Sequence, residues 1–497
     1  MQSVRRRLNN KQRTRTHLSF FSNLLFEAGL VARSLGDYFA GGGLRLGVTG
    51  LSRSGKTVFL TALVNNLIAG ARLPVFAASA EGRISRARLE PQPDDAVPRF
   101  AYEEHLASLE GPDRRWPEST RRISQLRLTI EFESASAWGA KASSLPIDIV
   151  DYPGEWLLDL PLLDKDYATW AQETLEASQT PARAPLSADW RAALKGLDPH
   201  GGAEEDTARR IAEFFTAYLR CARENVYALS TLPPGRFLMP GDLEGSPAIT
   251  FAPIPLNPDD PIPPGSLAAM MQRRYEAYKT HVVRPFFRDH FARLDRQIVL
   301  VDALAALNSG PAALRDLEHA MTEVMRAFRA GRASRFASIF RPRIDRILFA
   351  ATKADHLHHT SHDRLEAILR ALTTRAIARA EGVGVEIDVI ALAAIRATRE
   401  AEIRHGGETL QAIIGVPEKG ETIGGQAFDG VAEAAVFPGE LPPDPMSIFN
   451  GEAIARPEAD NDWRFVRFRP PPVARGEPAP QIRLDRALQF LLGDRLA

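Results

Sequence analysis

Cysteine is almost absent: Cys221 stands alone in the chain. One thiol closes no internal disulfide and has no second thiol for a zinc site, so a reducing compartment is expected, with Cys221 acting as a small buried apolar filler. No uncharged apolar run reaches the roughly 18 residues that mark a bilayer span. Residues 1–30 also lack an unbroken apolar core followed by a small-residue cleavage site. These absences predict a cytoplasmic chain that neither spans a membrane nor is secreted. Net charge is missing as well, because 62 Lys and Arg balance 62 Asp and Glu. Without a global field, no nucleic-acid partner is expected and any attraction to an anionic surface must be local.

What is present begins with size: 497 residues, 44% of them apolar, are enough for at least two packed units. The first fifteen residues carry Arg5, Arg6, Arg7, Lys11, Arg13 and Arg15 with no acid, and Phe20, Phe21, Leu24, Leu25, Phe26, Leu30 and Val31 follow at helical spacing. Such a segment either docks on an anionic membrane, here the inner face, or is a solvated tail leading to a helix that packs on the main domain. Glu27 and Asp37 favour the second reading.

Residues 44–49 read as a short buried strand entering a glycine-rich loop, and residues 58–68 as an apolar helix. Residues 126–133 alternate as a half-exposed strand does, and residues 145–150 read as a more buried one, so two adjacent strands are expected here, in an antiparallel pairing. Helical periodicity then dominates to residue 297, notably over 208–227 and 266–294, with a proline-rich break at 253–264. A βα rhythm resumes with strands at 298–301, 344–351 and 385–391. Beyond residue 406 the composition turns to glycine, proline and acid, with a strand expected at 463–468 and a final helix at 484–492 that Gly493 ends. The expected organisation is an N-terminal tail and helix (1–43), a nucleotide-binding core (44–156 and 296–405), a helical insertion (157–295) and an α+β C-terminal extension (406–497).

Gly50-Leu51-Ser52-Arg53-Ser54-Gly55-Lys56-Thr57 fits the phosphate-loop pattern G-x-x-x-x-G-K-[ST]. Its glycines let the backbone curl so that N–H groups converge on phosphate oxygens at the positive end of the following helix. Lys56 would reach the β and γ phosphates and Thr57 would hold Mg²⁺, with Ser52, Arg53, Ser54, Gly55 and Val58 around the phosphates. Asp151-Tyr152-Pro153-Gly154 fits D-x-x-G at a strand tip, where Asp151 would bind Mg²⁺ through water and the Gly154 N–H would sense the γ-phosphate. Thr352-Lys353-Ala354-Asp355 approximates [NT]-K-x-D. Its Asp355 would accept from N1–H and the 2-amino group of guanine, donors that adenine lacks, while the Lys353 stem covers the base. Ala394, followed by Ile395, offers an N–H for the guanine O6. His356 flanks the base, and the set His356, His358, His359 and His362 carries a weaker metal-ligand reading.

Taken together, GLSRSGKT, DYPGEWLLDLPLL, TKAD and ALAAIRAT resemble the YcjX-like family of P-loop GTPases, over most of the chain from about residue 18 onward. The resemblance implies an α/β P-loop NTPase: a Ras-like GTPase core with a mainly parallel sheet and helices on both faces, enlarged by a helical insertion and a C-terminal region. It also implies GTP or GDP as ligand, Mg²⁺ as cofactor and an association with bacterial phage-shock envelope stress.

Small GTPases commonly place glutamine after the D-x-x-G glycine, whereas this chain has Glu155. Glu155 either orients or deprotonates the attacking water or plays a structural part in the switch. Beside a γ-phosphate its charge demands a compensating cation or proton. Residues 114–122 occupy the place of a first switch loop; there Trp116 would flank the nucleotide, Ser119 or Thr120 would complete the Mg²⁺ shell, and Arg121 would neutralise developing charge. The leading expectation is a GTP-hydrolysing switch, with a protein effector or activating partner reached through the helical insertion. The alternatives are a guanine-nucleotide scaffold with negligible turnover and an ATP-dependent phosphotransferase.

Overall fold

Strand β1 (Leu44–Gly50) is buried along almost its whole length, which places it at the centre of a sheet rather than at an edge. A computed structural model describes residues 43–50, 54–92, 94–118, 122–134, 141–223, 233–256, 261–333, 344–381, 384–405, 407–423, 426–450 and 465–497. Of the N-terminal tail and helix expected over residues 1–43, residues 1–42 lie outside these.

After β1 come α1 (Lys56–Ile68), β2 (Ile84–Glu90), β3 (Ser124–Ser134) and β4 (Lys141–Asp151). Beyond β4 a long 3₁₀ run, Gly154–Asp164, leads to α2 (Tyr167–Ser178), α3 (Glu205–Arg223) and α4 (Leu267–Tyr278). The sheet then resumes with β5 (Arg296–Val301), followed by α5 (Ala303–Ser309) and α6 (Pro311–Ala333), β6 (Arg346–Ala351), α7 (His362–Glu381) and β7 (Glu386–Ala391). Beyond it lie β8 (Arg399–His405), β9 (Glu408–Gly415), a ribbon of β10 (Thr422–Ile423) and β11 (Gln426–Ala427), β12 (Ala434–Val436) and α8 (Leu484–Leu492).

The main sheet has seven strands in the order β2-β3-β4-β1-β5-β6-β7. β4, β1, β5, β6 and β7 run parallel, and β3 and β2 add an antiparallel edge. The adjacent antiparallel strands at 126–133 and 145–150 are therefore present as β3 and β4. Strand β2 was not expected: its residues Ser85, Arg86 and Arg88 are exposed, as suits an edge, and they blur the alternation that reveals a strand.

Helices cover both faces. On one, Phe59, Leu60 and Leu63 of α1 pack with Leu46 and Val48 of β1, with Leu128 and Ile130 of β3, and with Leu484, Leu488 and Leu491 of α8. On the other, α5, α6, α7 and the residues between β4 and β5 share one continuous core. Within it α3 turns Ala208, Ile211, Phe215, Tyr218 and Ala222 inward at three- and four-residue spacing. These meet a nest of aromatic rings, in which Trp190 stacks on Tyr218 with centroids 5.6 Å apart and Trp170 on Tyr275 at 5.0 Å.

Three local expectations need correction. The helix expected over 266–294 passes through a π turn, Lys279–Val283, and its α-helical part ends at Asp289. Residues 465–468 of the strand expected at 463–468 make only an isolated bridge, Pro417 to Phe468, because no second strand continues the ladder there; residues 463 and 464 lie outside the described residues. Cys221 is half-buried on α3 rather than fully enclosed.

Candidate nucleotide site

The carboxyl ends of β4, β1, β5, β6 and β7 open on one side of the sheet, where an α/β fold exposes loop atoms to a ligand. Gly55 stands at φ 78° and caps α1, a left-handed conformation that suits glycine and turns the loop into the helix. A Cβ on Gly50 would overlap Ser54 Oγ and crowd Leu300, so a larger residue there would turn the Ser54 hydroxyl out of its present position. Ser54 Oγ is buried and finds no hydrogen-bond partner among the described residues. A buried hydroxyl of this kind is satisfied by an incoming oxyanion.

Lys56, the first residue of α1, lays its Nζ 2.6 Å from Asp151 Oδ1 at the tip of β4. Asp151 is 1% exposed, and Ser124 Oγ donates to its other oxygen at 3.4 Å. Thr57 is buried beside them. One hydroxyl and one carboxylate, with water and phosphate completing the shell, form the oxygen donor set that a small hard dication takes, so these residues fit Mg²⁺.

A cavity of about 620 Å³ extends from this loop across the strand tips. Ser54, Gly55 and Val58 line one end of it, while Lys353, Asp355, His356, Ala394 and Ile395 line the other. Lys353 adopts φ 62° and its ammonium is ion-paired with Asp302, so its stem lies along the wall. Asp355 is buried; its Oδ2 accepts the Ala397 N–H at 2.9 Å, and its backbone carbonyl accepts from Thr398 Oγ1. The loop after β7, which carries Ala394 and Ile395, is thereby tied to the carboxylate after β6. His356 is buried with its ring edge-on to Phe468 at 5.5 Å, and burial lowers its pKa, which favours a neutral imidazole. Trp116 lines the cavity and donates its indole N–H to the Phe468 carbonyl at 2.7 Å.

His358 and His359 do not join this cavity. They turn to Glu400, with His359 Nδ1 2.7 Å from its carboxylate, and the three ligand atoms lie within 4.8 Å of one another. His356 and His359 lie in two successive 3₁₀ turns, His358 caps the second, and His362 opens α7, so the four do not share one helix face.

Glu155 follows Gly154 in the 3₁₀ run and is 5% exposed. Its Oε1 lies 2.6 Å from a guanidinium nitrogen of Arg223 on α3. Sequence reasoning missed Arg223, which also lines the cavity. The readable signal was the demand of Glu155 for a cation, not the location of that cation. Gly154 is buried at the start of the run. Ser52, Arg53, Ser119, Thr120 and Arg121 lie outside the described residues.

A phosphate loop, a D-x-x-G carboxylate at the next parallel strand tip and a base-end carboxylate two strands further on define a P-loop NTPase with a Ras-like core. The family model described as "YcjX-like family, DUF463" matches residues 44–496, and the chain belongs to that family. It is 40% identical over 468 residues to the protein named Ras-like GTPase YcjX of Escherichia coli strain K12, covering 91% of this chain and 96% of that protein. To the protein of the same name from Shewanella oneidensis it is 35% identical over 485 residues, covering 91% and 94%. Among the described residues, no helix is long and apolar enough to cross a membrane.

Proposed function

We propose that this protein binds guanine nucleotide with Mg²⁺ and hydrolyses GTP to GDP and phosphate, using the reaction to switch the contacts of the helical segment between β4 and β5. The observation that carries the reading is Asp355: a buried carboxylate, held by the Ala397 N–H, on the wall of the cavity that starts at the phosphate loop. Guanine brings two adjacent N–H donors to such a carboxylate, whereas adenine would leave it without them. The names of both relatives, Ras-like GTPase, support the same reading.

In this reading Thr57 and Asp151 would hold Mg²⁺, which would supply positive charge against the phosphates as the bond breaks. Lys56 moves from Asp151 toward the phosphates, Ser54 Oγ and the loop N–H groups donate to phosphate oxygens, and Ala394 N–H faces the base. Gly154, Ser119 and Thr120 respond to the γ-phosphate, and Arg121 adds charge from the switch loop. The reading extends to a protein effector on the helical segment, to anionic membrane contact through residues 1–43, and to envelope stress as the physiological setting.

Calorimetric titration of GDP, GTP, ADP and ATP with Mg²⁺, on the wild type and on Asp355→Ala, tests the base site. Selective guanine binding lost in the variant is the expected result; equal or preferential adenine binding would overturn the guanine reading. Cosedimentation with anionic liposomes, full length against residues 44–497, tests the N-terminal contact, which is sunk if neither binds.

A further inference from the structure

Glu155 and Arg223 form an ion pair whose position is unusual. Glu155 follows the glycine that senses the γ-phosphate, and a buried carboxylate there would repel that phosphate. Arg223 answers this from a distant part of the chain. It lies on α3 and lines the same cavity as Ser54 and Gly55 of the phosphate loop. A guanidinium has five N–H donors, so one face can hold Glu155 while others reach phosphate oxygens.

The helical segment is gripped to this loop at further points. A Cβ on Gly235 would overlap the Glu155 carbonyl, and the Gly235 N–H donates to Asp159 Oδ1 at 2.6 Å. Tyr278 O–H donates to the other Asp159 oxygen at 2.6 Å, and the Arg236 guanidinium lies 3.3 Å over the Trp156 ring. Trp156 is the residue next to Glu155, so the segment that delivers Arg223 is fixed to the backbone it serves.

We propose that Arg223 is a catalytic arginine supplied within the chain: it contacts the γ-phosphate of bound GTP, with Glu155 as the group that positions it. This rests on the GTPase reading above. In the step, a water oxygen bonds to Pγ as the bond from Pγ to the β–γ bridging oxygen breaks. The electron pair goes to the β-phosphate, and the water protons pass to the phosphate product and solvent. Arg223 neutralises the charge on the γ oxygens and the bridging oxygen as this occurs.

The test uses the full chain with Mg²⁺, as wild type, Arg223→Ala, Arg223→Lys and Glu155→Gln. Single-turnover GTP hydrolysis is measured alongside GDP affinity, thermal melting, and binding of aluminium fluoride to the GDP complex read through tryptophan fluorescence. The wild type is expected to trap aluminium fluoride with no partner protein. Arg223→Ala should slow hydrolysis on the order of 10²–10³-fold and abolish trapping while leaving GDP affinity within about twofold. Arg223→Lys should recover only part of the rate, because its ammonium lacks the planar fork, and Glu155→Gln, which loses the charge that positions Arg223, should slow hydrolysis and weaken trapping by less than Arg223→Ala does. Wild-type hydrolysis and trapping in Arg223→Ala, or GDP binding by the wild type without trapping, would overturn the role of Arg223 alone. Failure of the wild type to bind guanine nucleotide would overturn the GTPase reading with it. If Arg223→Ala does not fold, Arg223→Lys decides: a full wild-type rate with full trapping would sink the proposal.

Discussion

Lys56 and Asp151 form a buried ion pair to which the proposed function also gives a part in ligand binding. Asp151 is nearly sealed from water and Lys56 lies 2.6 Å away, so truncating the lysine leaves a buried carboxylate without its cation. Lys56→Ala should lower nucleotide-free stability by about 2–3 kcal/mol in urea titrations, in addition to weakening nucleotide binding. Asp159 behaves in the opposite sense. Burial raises its pKa to about 6 despite hydrogen bonds from Tyr278 and Gly235. Its folded value therefore exceeds the unfolded one, so its contribution to stability is complete below the unfolded value and is lost as pH rises through about 6. Asp159→Asn should flatten the stability change between pH 5 and pH 7, seen as parallel denaturation curves where the wild type gains stability on acidification. The motif residues could be read from sequence because phosphate, metal and base each require particular atoms at short spacing. Arg223 could not be, because its partner Glu155 is far along the chain and the arginine belongs to no motif; only the fold unites them.

The elements around Gly154 show how packing transmits such chemistry. The 3₁₀ run of Gly154–Asp164 buries Trp156, Leu157, Leu158 and Leu160 on the helical core, so movement at Gly154 meets well-packed side chains. Gly235 is the tightest of these contacts. Gly235→Ala would press a methyl group on the Glu155 carbonyl and should cost about 1–3 kcal/mol, checked by thermal melting, while reducing discrimination between GTP and GDP by calorimetry. Strands β4, β5, β6 and β7 were evident from apolar runs bounded by turn residues, since buried parallel strands have few other compositions. The edge strand β2 was hidden because Ala87 is its one buried residue, too little to set up an apolar alternation. The stretch around Phe468 was mistaken for a strand because aromatic residues suit strands; here Phe468 packs on His356 and its carbonyl accepts from Trp116 instead.

Across the chain, α8 belongs structurally to the nucleotide-binding sheet although almost the whole sequence separates it from β1. Its Leu484, Leu488, Leu491 and Leu492 share one core with α1 and β1. Asp485 accepts from the Val75 N–H at 3.1 Å, Gln489 from the Ala77 N–H at 2.9 Å, and Arg346 donates to the Phe490 carbonyl at 2.6 Å. Removing residues 484–497 should therefore abolish cooperative unfolding and guanine-nucleotide binding together, measured by circular dichroism melting and calorimetry. The helix itself was readable from its apolar periodicity, but where it packs was not, because a period of 3.6 shows which face is apolar and says nothing of what that face meets.

This arrangement also bears on synthesis. While the ribosome is still adding residues ahead of 484, β1 and α1 already exist but one face of their core has no cover. The phosphate loop then hangs between a strand and a helix that are not yet held together, and the nascent chain displays leucines suited to a chaperone. Acquisition of nucleotide is thus expected to wait until α8 has emerged and docked.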